Sequence, residues 1–239
     1  CLMKYLSSLA KKLPEPIKVP LRPIRKSISI MKGRFEVANQ FLSLKGRKNI
    51  KLNLGCGSLV KPSWVNIDVY IPDYVKTVLI THPDTILINH DICKSLPLDN
   101  ESCDYIYSSH FFEHLESKEG IKLMSKCFTK LKPGGVFRIA LPNFRLAFEA
   151  YLSGDCALWD LVDQSVDAMM PGIQKTALDY LNFVVYQSGE HKCIYDEERI
   201  KLILQKIGFR SVALSTFQEG IDEIVATHRR YSFYVEAIK

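Results

Sequence analysis

No stretch of this 239-residue chain approaches eighteen uninterrupted apolar residues, which excludes a transmembrane helix. The opening CLMKYLSSLAKKLPEP offers only a short apolar interval before Lys11 and Lys12, so no secretory signal is expected, and Cys1 reads as the edge of a fragment. The seven cysteines, at 1, 56, 93, 103, 127, 156 and 193, include no CxxC pair and no regular spacing. Neither a disulfide framework nor a cysteine zinc site is therefore expected, and a reducing cytoplasm is the natural compartment. Internal repeats and low-complexity tracts are also missing. What is present is ordinary globular material: 47% hydrophobic and 24% charged residues, enough to bury a sizeable core.

Charge is unevenly spread. Residues 1–51 carry thirteen Lys/Arg against Glu15 and Glu36, a net +11, whereas residues 52–239 carry nineteen against twenty-four, a net −5. This divides the chain into a basic amino-terminal arm, 1–49, and a mildly acidic domain, 50–239. Prolines 14, 16, 20 and 23 forbid a continuous helix in the first half of the arm, which reads as a short helix near 4–13 followed by an extended connector. From Ile24 to about Leu44 the pattern is helical again, a segment expected to pack on the following domain.

Beyond Lys51 short apolar runs alternate with helical segments, the pattern of a parallel α/β sheet. The strands are expected at 50–54, 64–68, 85–89, 104–108, 135–141, 210–215 and 231–238. Between the fourth and fifth, Ile121, Met124, Phe128 and Leu131 fall on one helical face. A second helix starts at a capping Asp196 and buries Ile200, Ile203, Leu204 and Ile207 before Gly208 stops it. Residues 144–187 read as a helical insertion. Only about fifteen residues separate Ser215 from Tyr231, too few for a helical crossover, so the last strand is expected to run antiparallel beside its predecessor.

Three strand ends carry the chemistry. In LNLGCGS, 52–58, an apolar strand runs into Gly55-Cys56-Gly57, where a ligand can approach the backbone closely; a simple tight turn is the alternative. Asp68 ends the next apolar run, eleven positions after Gly57, and can accept both hydroxyls of a ribose. That gap is too short for a full helix, so the first crossover must be abbreviated. Asp91 and Ile92, beyond the third strand, suit an adenine: a carboxylate for the exocyclic amine and an apolar side chain for the ring face. GCGSLV lacks the third glycine of GxGxxG and the GK[ST] of a P-loop, which speaks against a pyrophosphate ligand such as NAD.

These motifs resemble those of class I S-adenosylmethionine-dependent methyltransferases, of the small-molecule group often called type 11. LNLGCGS resembles the glycine-rich first motif, NIDV (66–69) the acidic second, and residues 90–115 the adenine-contacting segment, fourth strand and following helix start. LKPGGVFRIALP, 131–142, is similar to the turn and fifth strand of that fold. The resemblance implies a doubly wound, Rossmann-like, seven-stranded and mostly parallel sheet with an antiparallel last strand. It implies S-adenosylmethionine as cofactor, with Gly55, Cys56 and Gly57 at its methionine part, Asp68 at the ribose, Asp91 and Ile92 at the adenine, Ser109 and His110 flanking the methyl-bearing sulfur, and Val69 of the second motif also among the cofactor-binding residues. The short first crossover and the closing HRRYSFYVEAIK resemble a subset associated with bacterial glycan and secondary-metabolite pathways.

Methyl transfer asks mainly for alignment, plus a base if the acceptor is a hydroxyl, and histidine is the natural base at neutral pH. His110 and His114, four apart, would share a face just past the fourth strand if helical; Glu113 would point elsewhere on that helix, or could equally orient a histidine. His191 lies in a polar loop near Tyr195 that the resemblance places over the substrate pocket. HxxxH is also a metal spacing, but no third ligand is close in sequence, so no metal is expected. The expected activity is O-methylation of a sugar or glycan-like small molecule, with a non-catalytic cofactor-binding scaffold as the alternative. The arm's cations suit a phosphorylated, nucleotide-linked or lipid-linked acceptor, a peripheral membrane contact or plain solvation; nucleic acid fits poorly because the arm has few aromatic residues.

Overall fold

The computed structural model describes residue 33 and residues 35–222 and 231–239. The expected helix near 4–13, the proline connector, most of the basic arm and the loop residues His228, Arg229 and Arg230 lie outside the described residues. Of the helix expected over 24–44, residues 35–44 are described and are helical. Residues Ser43–Lys239 form one compact unit.

That unit holds seven strands: β1 (Ile50–Leu54), β2 (Val65–Asp68), β3 (Ile86–Asn89), β4 (Cys103–Ser109), β5 (Leu131–Pro142), β6 (Ser211–Ser215) and β7 (Ser232–Ile238). Its described α-helices are α1 (Val78–Thr81), α2 (Ser117–Lys130), α3 (Phe144–Ser153), α4 (Asp163–Met169), α5 (Ala177–Tyr186) and α6 (Glu197–Ile207). The strands make one sheet in the order β3-β2-β1-β4-β5-β7-β6. The first five are parallel and β7 is antiparallel to both β5 and β6, the arrangement that the short last connection requires. The order reverses between β1 and β4, the point where an open α/β sheet parts its loops and makes a crevice.

The crossover from β1 to β2 contains no helix, as the eleven-residue gap demanded. Side chains take up backbone polar groups there instead, the buried Asn66 foremost: its Oδ1 accepts from Lys61 N at 2.8 Å, and its Nδ2 donates to Lys61 O at 2.9 Å. Asn53 Nδ2 donates to Asn66 Oδ1 at 2.9 Å and to Leu59 O at 2.8 Å, so two adjacent strands share one amide pair. The helix after β4 differs from expectation in its buried stripe, which is Gly120, Leu123, Met124 and Cys127; Ile121 and Phe128 are half-buried, and Leu131 already begins β5. The helix itself starts only at Ser117, after a separate 3-10 turn. Helix α6 starts as expected, with Asp196 accepting from Arg199 N at 2.6 Å.

Residues 144–187 fold as three helices around their own small core of Ala147, Ala150 and Trp159, with Trp159 stacked on Tyr180 at 5.5 Å. The carboxyl-terminal strands are held by Arg138 in mid-β5, which is fully buried. All five of its N–H groups are bonded: Nε to Asp222 Oδ1 (2.8 Å), Nη1 to Ser215 Oγ (2.9 Å) and Glu236 Oε1 (2.9 Å), and Nη2 to Thr216 O (2.7 Å) and Asp222 Oδ2. Removing Asp222 leaves two of these donors and part of a buried charge without a partner. Asp222→Ala is expected to lower stability by about 3 kcal/mol in urea unfolding, and a loss within 0.5 kcal/mol, the usual range for surface sites, would show that Glu236 alone suffices.

Candidate active site

Parallel strands β1 to β5 deliver their carboxyl ends to one edge. At the end of β1, Gly55 (φ 65°) and Gly57 (φ 49°) adopt left-handed backbone that glycine tolerates best. The two differ in what surrounds them. A Cβ on Gly55 would lie 2.2 Å from the Phe111 ring, so this glycine makes room for the protein's own side chain. A Cβ on Gly57 would meet nothing within 4 Å, so this residue leaves open space at the strand edge. Cys56 is turned inward, 4% exposed, and burial pushes its thiol up to about 12; only its backbone faces the edge.

Asp68 ends β2 beside this turn. Its Oδ2 accepts from Gly57 N at 2.9 Å and its Oδ1 from Tyr70 N at 3.1 Å, which fixes the carboxylate while leaving each oxygen lone-pair capacity for a further donor. The carboxylate and the open Gly57 cradle together fit a ribose and its attached chain. Val69, 68% exposed, offers apolar surface next to it, whereas Ile92 is 3% exposed and turned into the core. Asp91 Oδ1 accepts from Cys93 N at 3.1 Å and its Oδ2 pairs with Lys94 at 3.0 Å, which holds its carboxyl below the usual range.

Beyond β4 the chain does not enter a helix. His110 takes a left-handed φ of 47° and Phe112–His114 form a single 3-10 turn, so His110 and His114 do not share a helical face as their spacing suggested. The positive φ lets His110 turn back on the sheet, where Nε2 bonds Ser232 Oγ at 2.7 Å and Nδ1 lies 3.6 Å from Glu113 Oε1. Glu113 does not point away as a helix would have it; it is fully buried beside His110, as the alternative of a residue that orients a histidine allowed, with no hydrogen-bond partner on either carboxyl oxygen. Burial pushes its carboxyl up to about 8. No pattern in SSHFFEHL reveals this, because a helical projection sends the side chain outward.

The turn's main chain explains how a distant loop joins it. Glu113 O accepts from Lys192 N at 2.7 Å and from Cys193 N at 3.1 Å, which draws residues 190–193 onto the strand edge. His191 thereby packs on His114, ring centroids 5.0 Å apart, and one ring nitrogen of each lies within 4.8 Å of a Glu113 carboxylate oxygen and of the other. His191 Nδ1 donates to Val184 O at 3.0 Å, and His114 Nδ1 donates to Glu190 O at 3.2 Å. A carbonyl can only accept, so both rings carry their lone pair on Nε2. Burial lowers both pKa values, which keeps the imidazoles neutral near pH 7.

The four side chains His110, Glu113, His114 and His191 line one wall of a cavity of about 160 Å³. Its other lining residues are mostly apolar, Leu158, Val162, Phe183 and Val184 from the helical insertion and Pro142 at the end of β5, with Asn143, Gln187 and Tyr231 beside them. Tyr195, expected at the lid, is 2% exposed and belongs to the packing beneath it.

Residues 52–139 match the family model described as a methyltransferase domain. No curated protein matches the chain in sequence. Among solved structures, a possible exported protein of Bordetella parapertussis is 19% identical over 86% of this chain and 67% of its own, with a TM-score of 0.51, which shows the shared fold. A methyltransferase of Archaeoglobus fulgidus described as dependent on S-adenosylmethionine (SAM) is 18% identical over 88% of this chain and 94% of its own, TM-score 0.45. A phosphoethanolamine N-methyltransferase of Haemonchus contortus, solved with S-adenosylhomocysteine, is 14% identical over 84% and 53%, TM-score 0.47.

The contrast between the two glycines is testable by urea unfolding. Gly57→Ala is expected to cost about 1–2 kcal/mol, the strain of a left-handed alanine, whereas Gly55→Ala adds an overpacking cost of about 1–3 kcal/mol against Phe111. Adding Phe111→Ala to Gly55→Ala should recover part of that second cost. Equal losses at the two glycines would mean that Phe111 does not constrain the turn.

Proposed function

We propose that this chain, a class I S-adenosylmethionine-dependent methyltransferase, methylates a hydroxyl of a small, sugar- or glycan-like acceptor held in the cavity between the strand edge and the helical insertion. The cofactor supplies, when bound, a methyl group activated by a sulfonium. The chain's own residues do the rest. Asp68 holds the ribose hydroxyls, Gly57 leaves room for the methionine end, and Val69 and Asp91 border the adenine. Cys56 contributes backbone only.

The observation that carries the hydroxyl reading is the convergence of Glu113, His114 and His191 on one wall of the cavity. Methylating a carbon or amine already nucleophilic would need no such cluster, whereas an alcohol must lose its proton as its oxygen bonds to carbon. The neutral imidazoles are the groups placed to engage that hydroxyl. The apolar wall of Leu158, Val162 and Phe183 suits the C–H face of a sugar ring and excludes water from the transfer. The six cysteines among the described residues are all unpaired, which supports a reducing, cytoplasmic setting. No described helix is long and apolar enough to cross a membrane.

Asp68→Asn keeps the shape but removes the charge behind two ribose hydrogen bonds, worth about 1.5–3 kcal/mol. Calorimetry is expected to show S-adenosylmethionine bound at least about tenfold more weakly, with the fold intact; unchanged affinity would sink the ribose assignment. His114→Ala and His191→Ala are expected to slow single-turnover methylation of a sugar or phenol panel by about 10² to 10⁴ while leaving cofactor affinity unchanged. Tight cofactor binding by the wild type with no turnover across the panel would favour a scaffold instead.

A further inference from the structure

We propose that Glu113, His114 and His191 form a binding site for one divalent transition ion of the zinc class, with an open coordination position facing the cavity. This rests on the reading of that cavity as the acceptor site; with the ion bound, the two imidazoles act on the acceptor's oxygen through the metal rather than directly. Two imidazoles and one carboxylate are a recurrent zinc ligand set, and three protein ligands leave a fourth position for water or substrate.

Three observations support the site independently of sequence spacing. One ring nitrogen of each histidine and one oxygen of Glu113 lie within 4.8 Å of one another. Ligands about 2.1 Å from a tetrahedral ion are about 3.4 Å apart, so a shift on the order of 1 Å closes the set. Glu113, at the cavity wall, is fully buried with neither carboxyl oxygen hydrogen-bonded, so binding a cation costs it no hydrogen bond, only release of the carboxyl proton. Both histidines already have the support that ligating imidazoles require: Nδ1 of each donates to a main-chain carbonyl, Glu190 O for His114 and Val184 O for His191, which fixes the tautomer and leaves Nε2 as the donor atom. His110, 3.6 Å from Glu113 through Nδ1, backs the carboxylate. An oxygen entering the open position would be polarised by the ion, which would lower the pKa of a hydroxyl bound there.

The test is calorimetric titration of zinc into chelator-treated full-length protein, repeated with cobalt and read by visible absorption. One ion per chain is expected, with affinity reduced at least tenfold in Glu113→Gln, His114→Ala and His191→Ala and unchanged in the control His82→Ala. Glu113→Gln is isosteric, and circular dichroism checks each variant's fold. The cobalt spectrum should show bound ion without thiolate charge-transfer bands. Absence of binding, binding indifferent to Glu113→Gln and His191→Ala, or thiolate bands abolished by Cys156→Ser would each overturn the site. S-adenosylmethionine affinity is measured separately on the same samples: if it persists while zinc does not bind, only the metal inference fails, and if it is absent, the methyltransferase reading fails.

Discussion

Every feature of the site depends on the parallel pairing of β1 to β5. Parallel strands hydrogen-bonded in register must all leave the sheet at the same edge, so Gly55, Asp68, Asp91, His110 and Asn143, spread over almost ninety residues of sequence, become neighbours without contacting one another in the chain. The ladder bonds supply the rigidity, and the side chains at the edge inherit it. That is why a cavity built from single turns and loops can hold residues to fixed positions.

A shared economy runs through these turns: groups that satisfy the backbone also form the site. Asp68 binds Gly57 N and Tyr70 N, which orients the carboxylate before any ligand arrives. Asn66 does the work of a missing helix in the first crossover, so the loop after Gly57 stays short and leaves the edge open. Glu113 uses its carbonyl to anchor residues 192 and 193 while its carboxylate remains unbonded. The buried acid is the costly element, since a carboxylate with no hydrogen bond is unfavourable in an apolar surrounding. Arg138 is the opposite case, a buried charge whose five donors are all matched and which therefore fastens the reversed strands to the sheet.

The helical insertion contributes differently. Its core of Ala147, Ala150 and Trp159 is separate from the sheet, and its inner surface turns Leu158, Val162 and Phe183 toward the strand edge. In the proposed reaction, cofactor recognition falls to the sheet and acceptor recognition to the insertion, with the histidines at the seam. Such a division lets the acceptor wall vary in sequence without disturbing the glycine turn or Asp68.

The strands, their order of appearance, the reversed last strand and the glycine and aspartate motifs were legible in the sequence because each follows from local pattern: apolar runs of strand length, a gap too short for a helix, an acid at a strand end. The helix of α6 was legible for the same reason, with its cap and stripe in one continuous segment. What local pattern could not supply was the region after β4. His110 and His114 read as one helical face, but His110 takes a left-handed backbone to reach Ser232, 122 residues away, and the helix is delayed to Ser117. That Phe111 occupies the space a Cβ on Gly55 would need is also a tertiary fact, since the two are fifty-six residues apart. The joining of Glu113 and His114 to His191 is decided by two hydrogen bonds between the Glu113 carbonyl and residues 192 and 193. Periodicity records which faces of a segment are apolar; it holds no information on which distant loop a main-chain carbonyl will bind, and that is where the tertiary structure assembled the cluster.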